Sequence, residues 1–155
     1  MLNPKENYLT VHSIQSNNFA AGVRQDKYQN EIGFNYDALG IGLSNGFFDS
    51  ENDYISVIYL DHELTHLDYF VNVLKMRTGS QFNDWKESNP IGDAMNELGT
   101  IQGSLEMLKR FSQETDSKGK PKISQSDYER VKKKFGGYAK EQENIIFNYL
   151  YSHFK

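Results

Sequence analysis

The chain has 155 residues and a mass of 17.9 kDa, the length of one domain spanning residues 1–155. A net charge of -4 at pH 7 and a pI near 5.6 exclude nucleic acid as the main partner, because binding phosphates needs a basic surface. With no cysteine, disulfides, thiol nucleophiles and thiolate-bound zinc are excluded as well. The mean hydropathy is -0.70 and only 37% of residues are apolar, so the core is lean. Aromatic residues, 14% of the chain, are expected to carry much of its buried area.

Taken in order, residues 8 to 48 read as β-structure. Tyr8 to Ile14 alternates in period two, and the runs from Glu31 to Tyr36 and from Leu39 to Ser44 are further strand candidates. Asn45-Gly46 is a tight-turn dipeptide that would fold the last strand back on Phe47 and Phe48. From Ser50 the period changes to that of a helix. Ile55, Ile58, Tyr59, His62, His66, Tyr69, Phe70 and Val73 form one stripe, with Ser50, Asn52 or Asp53 as caps and Gly79 as the stop. A loop around Trp85 follows.

A second helix begins at Asn89 with Pro90 at its first position. Its apolar face is Ile91, Ala94, Met95, Leu98, Ile101, Leu105 and Leu108, while Gly99 and Gly103 would let it pack closely on a neighbour. Residues 115 to 123 form a polar loop. A third helix opens at Ser124 or Ser126 and stops at Gly136-Gly137. A fourth is expected to bury Ile145, Ile146, Tyr149, Leu150 and Phe154. Lys118, Lys120, Lys122, Arg130, Lys132, Lys133 and Lys134 read as a solvated basic loop and helix face.

The residues that carry chemistry are His62-Glu63-Leu64-Thr65-His66. On a helix, positions four apart project from one face, so His62 and His66 can reach a single metal ion. Glu63, beside them, can take a proton from a water that a metal has acidified to a pKa of about 7. The bland alternative is two half-buried histidines on an amphipathic helix.

A third ligand separates the two readings, since catalytic zinc takes three protein ligands and keeps one position open. Tyr69 and Asn72 stand where a longer histidine motif would need glycine and histidine, and His12 and His153 are remote. The candidates on the next segment are Glu87, Asp93, Glu97 and Glu106. Glu97 flanks the apolar face made by Ala94, Leu98 and Ile101, where an uncompensated carboxylate would be costly and a metal would remove the cost.

This pairing of His62-Glu63-x-x-His66 with Asn96-Glu97 resembles the glutamate-zincin metallopeptidases, in which an Asn-Glu pair on a later helix supplies the third ligand. The chain is too short for the thermolysin fold. It is more similar to the compact NleD-like zinc proteases that bacteria deliver as effectors and to the protease tips of polymorphic toxins. The likeness covers Asp61 to Leu105.

The patterning predicts an α+β fold, with a small N-terminal antiparallel sheet packed on zincin-like helices and a helical C-terminal part, and an all-helical domain is the competing reading. The resemblance implies a zinc-dependent endopeptidase, Zn2+ on His62, His66 and Glu97, and Glu63 as general base. The substrate would be a protein or peptide, and an immunity or inhibitor protein would be a natural partner. Two alternatives stand beside it: a regulatory peptidase of the IrrE/ImmA type, and a non-catalytic, zinc-stabilised protein-binding module. The start of the chain lacks a basic, then apolar leader, and no apolar run spans a bilayer. A soluble protein is expected, cytoplasmic in its producer or exported without a signal peptide.

Overall fold

The computed structural model describes residues 10–14, 21–29, 35–44, 47 and 52–154. Three strands precede the helices: β1 (Thr10–Ile14), β2 (Ala21–Gln29) and β3 (Asn35–Ser44). The helices are α1 (Asp53–Asp68), a π-helical turn (Tyr69–Val73), α2 (Gly79–Ser88), α3 (Pro90–Gln113) and α4 (Gln125–His153).

The expected α+β fold with an antiparallel sheet does not hold. Helix accounts for most of the described chain: α3 and α4 alone run for 24 and 29 residues, against strands of 5, 9 and 10. The protein is helical in class. Its strands are an accessory to that, and they are not all antiparallel. β2 pairs antiparallel with β3, while β1 pairs parallel with it (Thr10 opposite Gly40, Ile14 opposite Ser44). Period-two patterning located strand-like segments, but it says nothing about their direction or their share of the fold. The Asn45-Gly46 hairpin lies outside the described residues, as do residues 30 to 34.

The chain divides into two compact units, residues 1–47 with 63–88 and residues 48–62 with 89–155. In the first unit, Leu39, Ile41 and Leu43 alternate along β3 and are all buried. Helix α2 lies against β2 and β3. Phe70, Phe82 and Trp85 make its aromatic cluster, with ring centroids 4.9 Å (Phe70–Phe82) and 5.4 Å (Phe70–Trp85) apart.

Helix α2 replaces the loop expected around Trp85, and Gly79 opens it instead of stopping α1. A reciprocal capping box starts it. The Gln81 amide donates to Thr78 Oγ1 at 3.2 Å, and the Thr78 amide donates to Gln81 Oε1 at 3.1 Å. Thr78-x-x-Gln81 was a readable signal for this helix.

Helix α1 ends through the π turn, where the Leu74 amide donates to the Tyr69 carbonyl at 3.0 Å. The extra residue in that turn shifts the phase of the apolar stripe. Val73, expected inside, is therefore 61% exposed, while Phe70 stays buried.

In the second unit, Asn52 caps α1, its Oδ1 accepting from the Tyr54 amide at 2.9 Å. Ile55 and Ile58 from α1, Ile101 and Leu108 from α3, and Val131 and Phe135 from α4 build the core, all at 2% exposure or less. Each such side chain contributes ~1.5–3 kcal/mol by leaving water. Helices α3 and α4 pack against each other. Ser124 caps α4, its Oγ accepting from the Asp127 amide at 3.1 Å.

Helix α4 runs through Gly136-Gly137 without a break, so the third and fourth expected helices are one. The expected burial of its end fails too. Ile145, Tyr149, Leu150 and Phe154 are 42%, 41%, 46% and 83% exposed. Nor do Gly99 and Gly103 mark a close helix contact, since a Cβ at either would meet nothing within 4 Å.

Candidate metal centre

The site starts from the periodicity of α1. His62 and His66 lie one turn apart on its buried stripe, each 6% exposed. Asp61, Leu64 and Thr65 take the exposed side, and Glu63 is half-buried beside His62.

Helix α3 brings the partners of His62. Its buried face is Ala94, Thr100, Ile101, Ser104, Leu108 and Phe111, whereas Met95, expected inside, is 62% exposed. The face is therefore turned toward Glu97 and Ser104 relative to the all-apolar stripe read from sequence. Ser104 was missed because a serine scores as polar. Its spacing from Glu97, Thr100 and Ile101 was the available signal.

The hydrogen bonds around His62 suit a tautomer with the proton on Nδ1. Ser104 donates its hydroxyl hydrogen to the Thr100 carbonyl at 3.1 Å. Its oxygen is then an acceptor for His62 Nδ1, 3.0 Å away and fully buried. With the proton on Nδ1, Nε2 presents a lone pair. That nitrogen stands 3.3 Å from Glu97 Oε1. A lone pair facing a carboxylate at this distance is repulsive unless a positive species lies with them, either a proton or a metal ion.

The donor set favours the metal. His62, His66 and Glu97 offer ligand atoms that all lie within 4.8 Å of one another, a group that can hold a metal ion. Two imidazoles and a carboxylate suit a divalent transition metal. Glu87 and Glu106, the other glutamates considered, are exposed and outside this group, and Asp93 is half-buried but also outside it.

Aromatic rings hold the imidazoles in place. The His62 ring lies 5.5 Å from that of Phe135 on α4. The His66 ring stacks on Phe70 at 6.3 Å with an interplanar angle of 13°. Tyr138, three residues after Phe135, is 36% exposed. Burial first, then the negative charges of Glu141 and Glu97, push its phenol above the ordinary tyrosine range, so it stays protonated.

The basic loop and helix face are solvated as expected, with Lys118, Lys120, Arg130, Lys132 and Lys133 exposed. Lys122 is bound to Glu114 at 2.6 Å and covers the Tyr54 and Phe111 rings, and Arg130 pairs with Asp127 at 3.1 Å. Lys134 lies 4.6 Å from the centre of the Tyr59 ring.

Comparison with protein-family models, with curated proteins and with solved structures found no match to this chain. The site must therefore be judged on its own geometry. Among the described residues, no helix is long and apolar enough to cross a membrane.

Proposed function

We propose that this protein is a zinc-dependent endopeptidase in which His62, His66 and Glu97 hold the ion and Glu63 is the general base. The observation that carries the reading is the His62–His66–Glu97 group on two helices, with Glu63 adjacent to the first ligand. A purely structural site has no use for a carboxylate at that position.

A bound zinc ion would supply Lewis-acid polarisation of a peptide carbonyl and of the attacking water. The chain's own residues supply the rest. Ser104 holds the His62 ring with Nε2 outward, and Phe135 limits its rotation. Glu63 takes the proton of the attacking water as its oxygen bonds to the carbonyl carbon. It then delivers that proton to the amide nitrogen as the C–N bond breaks. The substrate class is a protein or peptide. The proposed biological role is that of an effector or toxin acting on one protein in another cell, with an immunity protein as its natural inhibitor.

Metal analysis and turnover of three proteins test the proposal. The wild type should hold one zinc per chain, and Glu97→Ala should lose it. Glu63→Gln should keep the metal and lose ~10²–10⁴-fold in rate. A wild type without stoichiometric zinc, or a Glu63→Gln variant with full activity, would overturn it.

A further inference from the structure

A contiguous apolar surface left in water marks a place that another molecule covers. Helix α4 carries such a surface at its end. In steps of three and four, the buried stripe of Val131 and Phe135 continues through Tyr138 and Gln142 to Ile145, Ile146, Tyr149, Leu150 and His153. Over that last stretch Ile145, Tyr149 and Leu150 are 42%, 41% and 46% exposed.

Helix length accounts for the exposure. The Thr115–Pro121 bridge closes the connection between α3 and α4, so the two packed helices run antiparallel from a common end. Helix α3 has 24 residues and α4 has 29, so α4 outruns its neighbour by ~7 Å at 1.5 Å per residue. Phe147 and Tyr151 lie on the opposite side of the tail, where their rings stack on each other at 6.2 Å.

The charges around the stripe select what fits it. From Asn144 to Phe154 the chain has no Asp, Glu, Lys or Arg. Glu141 and Glu143 stand one turn before Ile145 and Ile146 and border the stripe on its two sides, while His153 and Lys155 come at its end. Against a second copy laid antiparallel about Asn148, Glu141 meets Lys155, Glu143 meets His153 and Ile146 meets Leu150. A parallel pair would set glutamate on glutamate and lysine on lysine, which is repulsive. A lipid surface fits less well. The side of the tail away from the stripe carries Asn144, Asn148 and Ser152, where a helix that lies on membranes has lysine or arginine.

We infer that two copies of this chain associate through the ends of α4, packed antiparallel about a two-fold axis near Asn148. Each copy gives Ile145, Ile146, Tyr149 and Leu150 to an apolar seam, and the same residues of the second copy answer them, as two-fold symmetry requires. Tyr149 lies ~21 Å along the helix from Phe135, the residue beside His62, so the seam is remote from the metal-holding group. The inference therefore stands or falls separately from the peptidase reading. Residues 141 to 155 make only ~22 Å of helix, a contact at the small end of specific interfaces, so association in the micromolar range is expected.

Sedimentation of the full chain over a range of concentrations from about 1 to about 200 μM, which brackets such a dissociation constant, is the test. Wild type should pass from monomer to dimer. Leu150→Lys, which puts a charge in the seam, should weaken the dimer ~10-fold or more, and Phe147→Ala, on the opposite side, should leave it unchanged. Glu141→Lys with Glu143→Lys should also weaken it ~10-fold or more. Adding His153→Glu and Lys155→Glu to that pair should restore it, because only antiparallel pairing brings the two groups together. Circular dichroism of each variant at low concentration checks that it is folded. A wild type that stays monomeric throughout overturns the inference, and sedimentation of that monomer with anionic phospholipid vesicles would assign the stripe to lipid instead. A dimer that survives Leu150→Lys, or that the first charge pair leaves at wild-type strength, overturns it as well.

Discussion

The two halves of α4 have opposite fates, although the later half is the richer in apolar residues. Up to Phe135 the helix buries Val131 and Phe135 at 0% and 2% exposure, and Phe135 backs the His62 ring. Beyond Gly137, Phe147, Tyr151 and Phe154 are 65%, 59% and 83% exposed. Helix α3 packs against α4, and the buried residues of α4, Val131 and Phe135, lie in its first half. Hydrophobic residues at helical spacing create a face, and only a facing element makes that face a core.

The largest expected effect breaks the comparison at its buried end. Phe135→Ala should cost ~3–5 kcal/mol, through lost transfer energy and the cavity left beside His62 and Tyr59. Phe147→Ala, the same chemical change in the other half, should cost no more than ~0.5 kcal/mol. Urea unfolding of both variants decides. Equal losses would mean that the Phe147 side of the distal half is covered in solution.

A smaller effect sharpens the boundary between the halves. A Cβ at Gly136 or Gly137 would meet nothing within 4 Å, and both lie inside a continuous helix. Each Gly→Ala change should therefore stabilise by ~0.5–1 kcal/mol, because alanine loses less backbone entropy on folding. Amide exchange in residues 138 to 153 should slow in the double variant. A fall in melting temperature would show that the glycines are needed for a bend that the helix makes in solution.

The smallest effect is at the start of α4. The Ser124 hydroxyl donates to the Asp127 carboxylate at 2.8 Å and Arg130 donates at 3.1 Å, and together they hold that carboxyl below the usual aspartate range. A depressed folded-state pKa gives stability that is complete above the unfolded value of about 4 and is lost as pH falls through the folded value. The protection factor of the first-turn amides of α4, which corrects exchange for its intrinsic pH dependence, should fall below about pH 4 and be flat from there to neutrality. Asp127→Asn should remove the step.

Local rules made part of the site legible. His62 and His66 share a face because helix geometry alone places residues four apart together, and Glu97 stood out as a carboxylate on a core-facing flank. Ser104 escaped notice because apolar counting skips a buried hydroxyl whose partners, His62 and the Thr100 carbonyl, are invisible in a pattern. Helix α2 escaped because the glycine at its start was read as punctuation, while the capping box around it was not read.

The sequence by itself determined the cysteine-free chemistry, the caps at Asn52 and Ser124, and the shared face of the two histidines. These depend on composition or on hydrogen bonds and spacings within a few residues, where the chain has little choice. Only the tertiary structure decided that helix dominates, that β1 runs parallel to β3, that α3 turns Glu97 and Ser104 toward His62, and that the end of α4 stays exposed. Those outcomes depend on what each face meets across long sequence separations, and burial is a property of the pair of faces in contact.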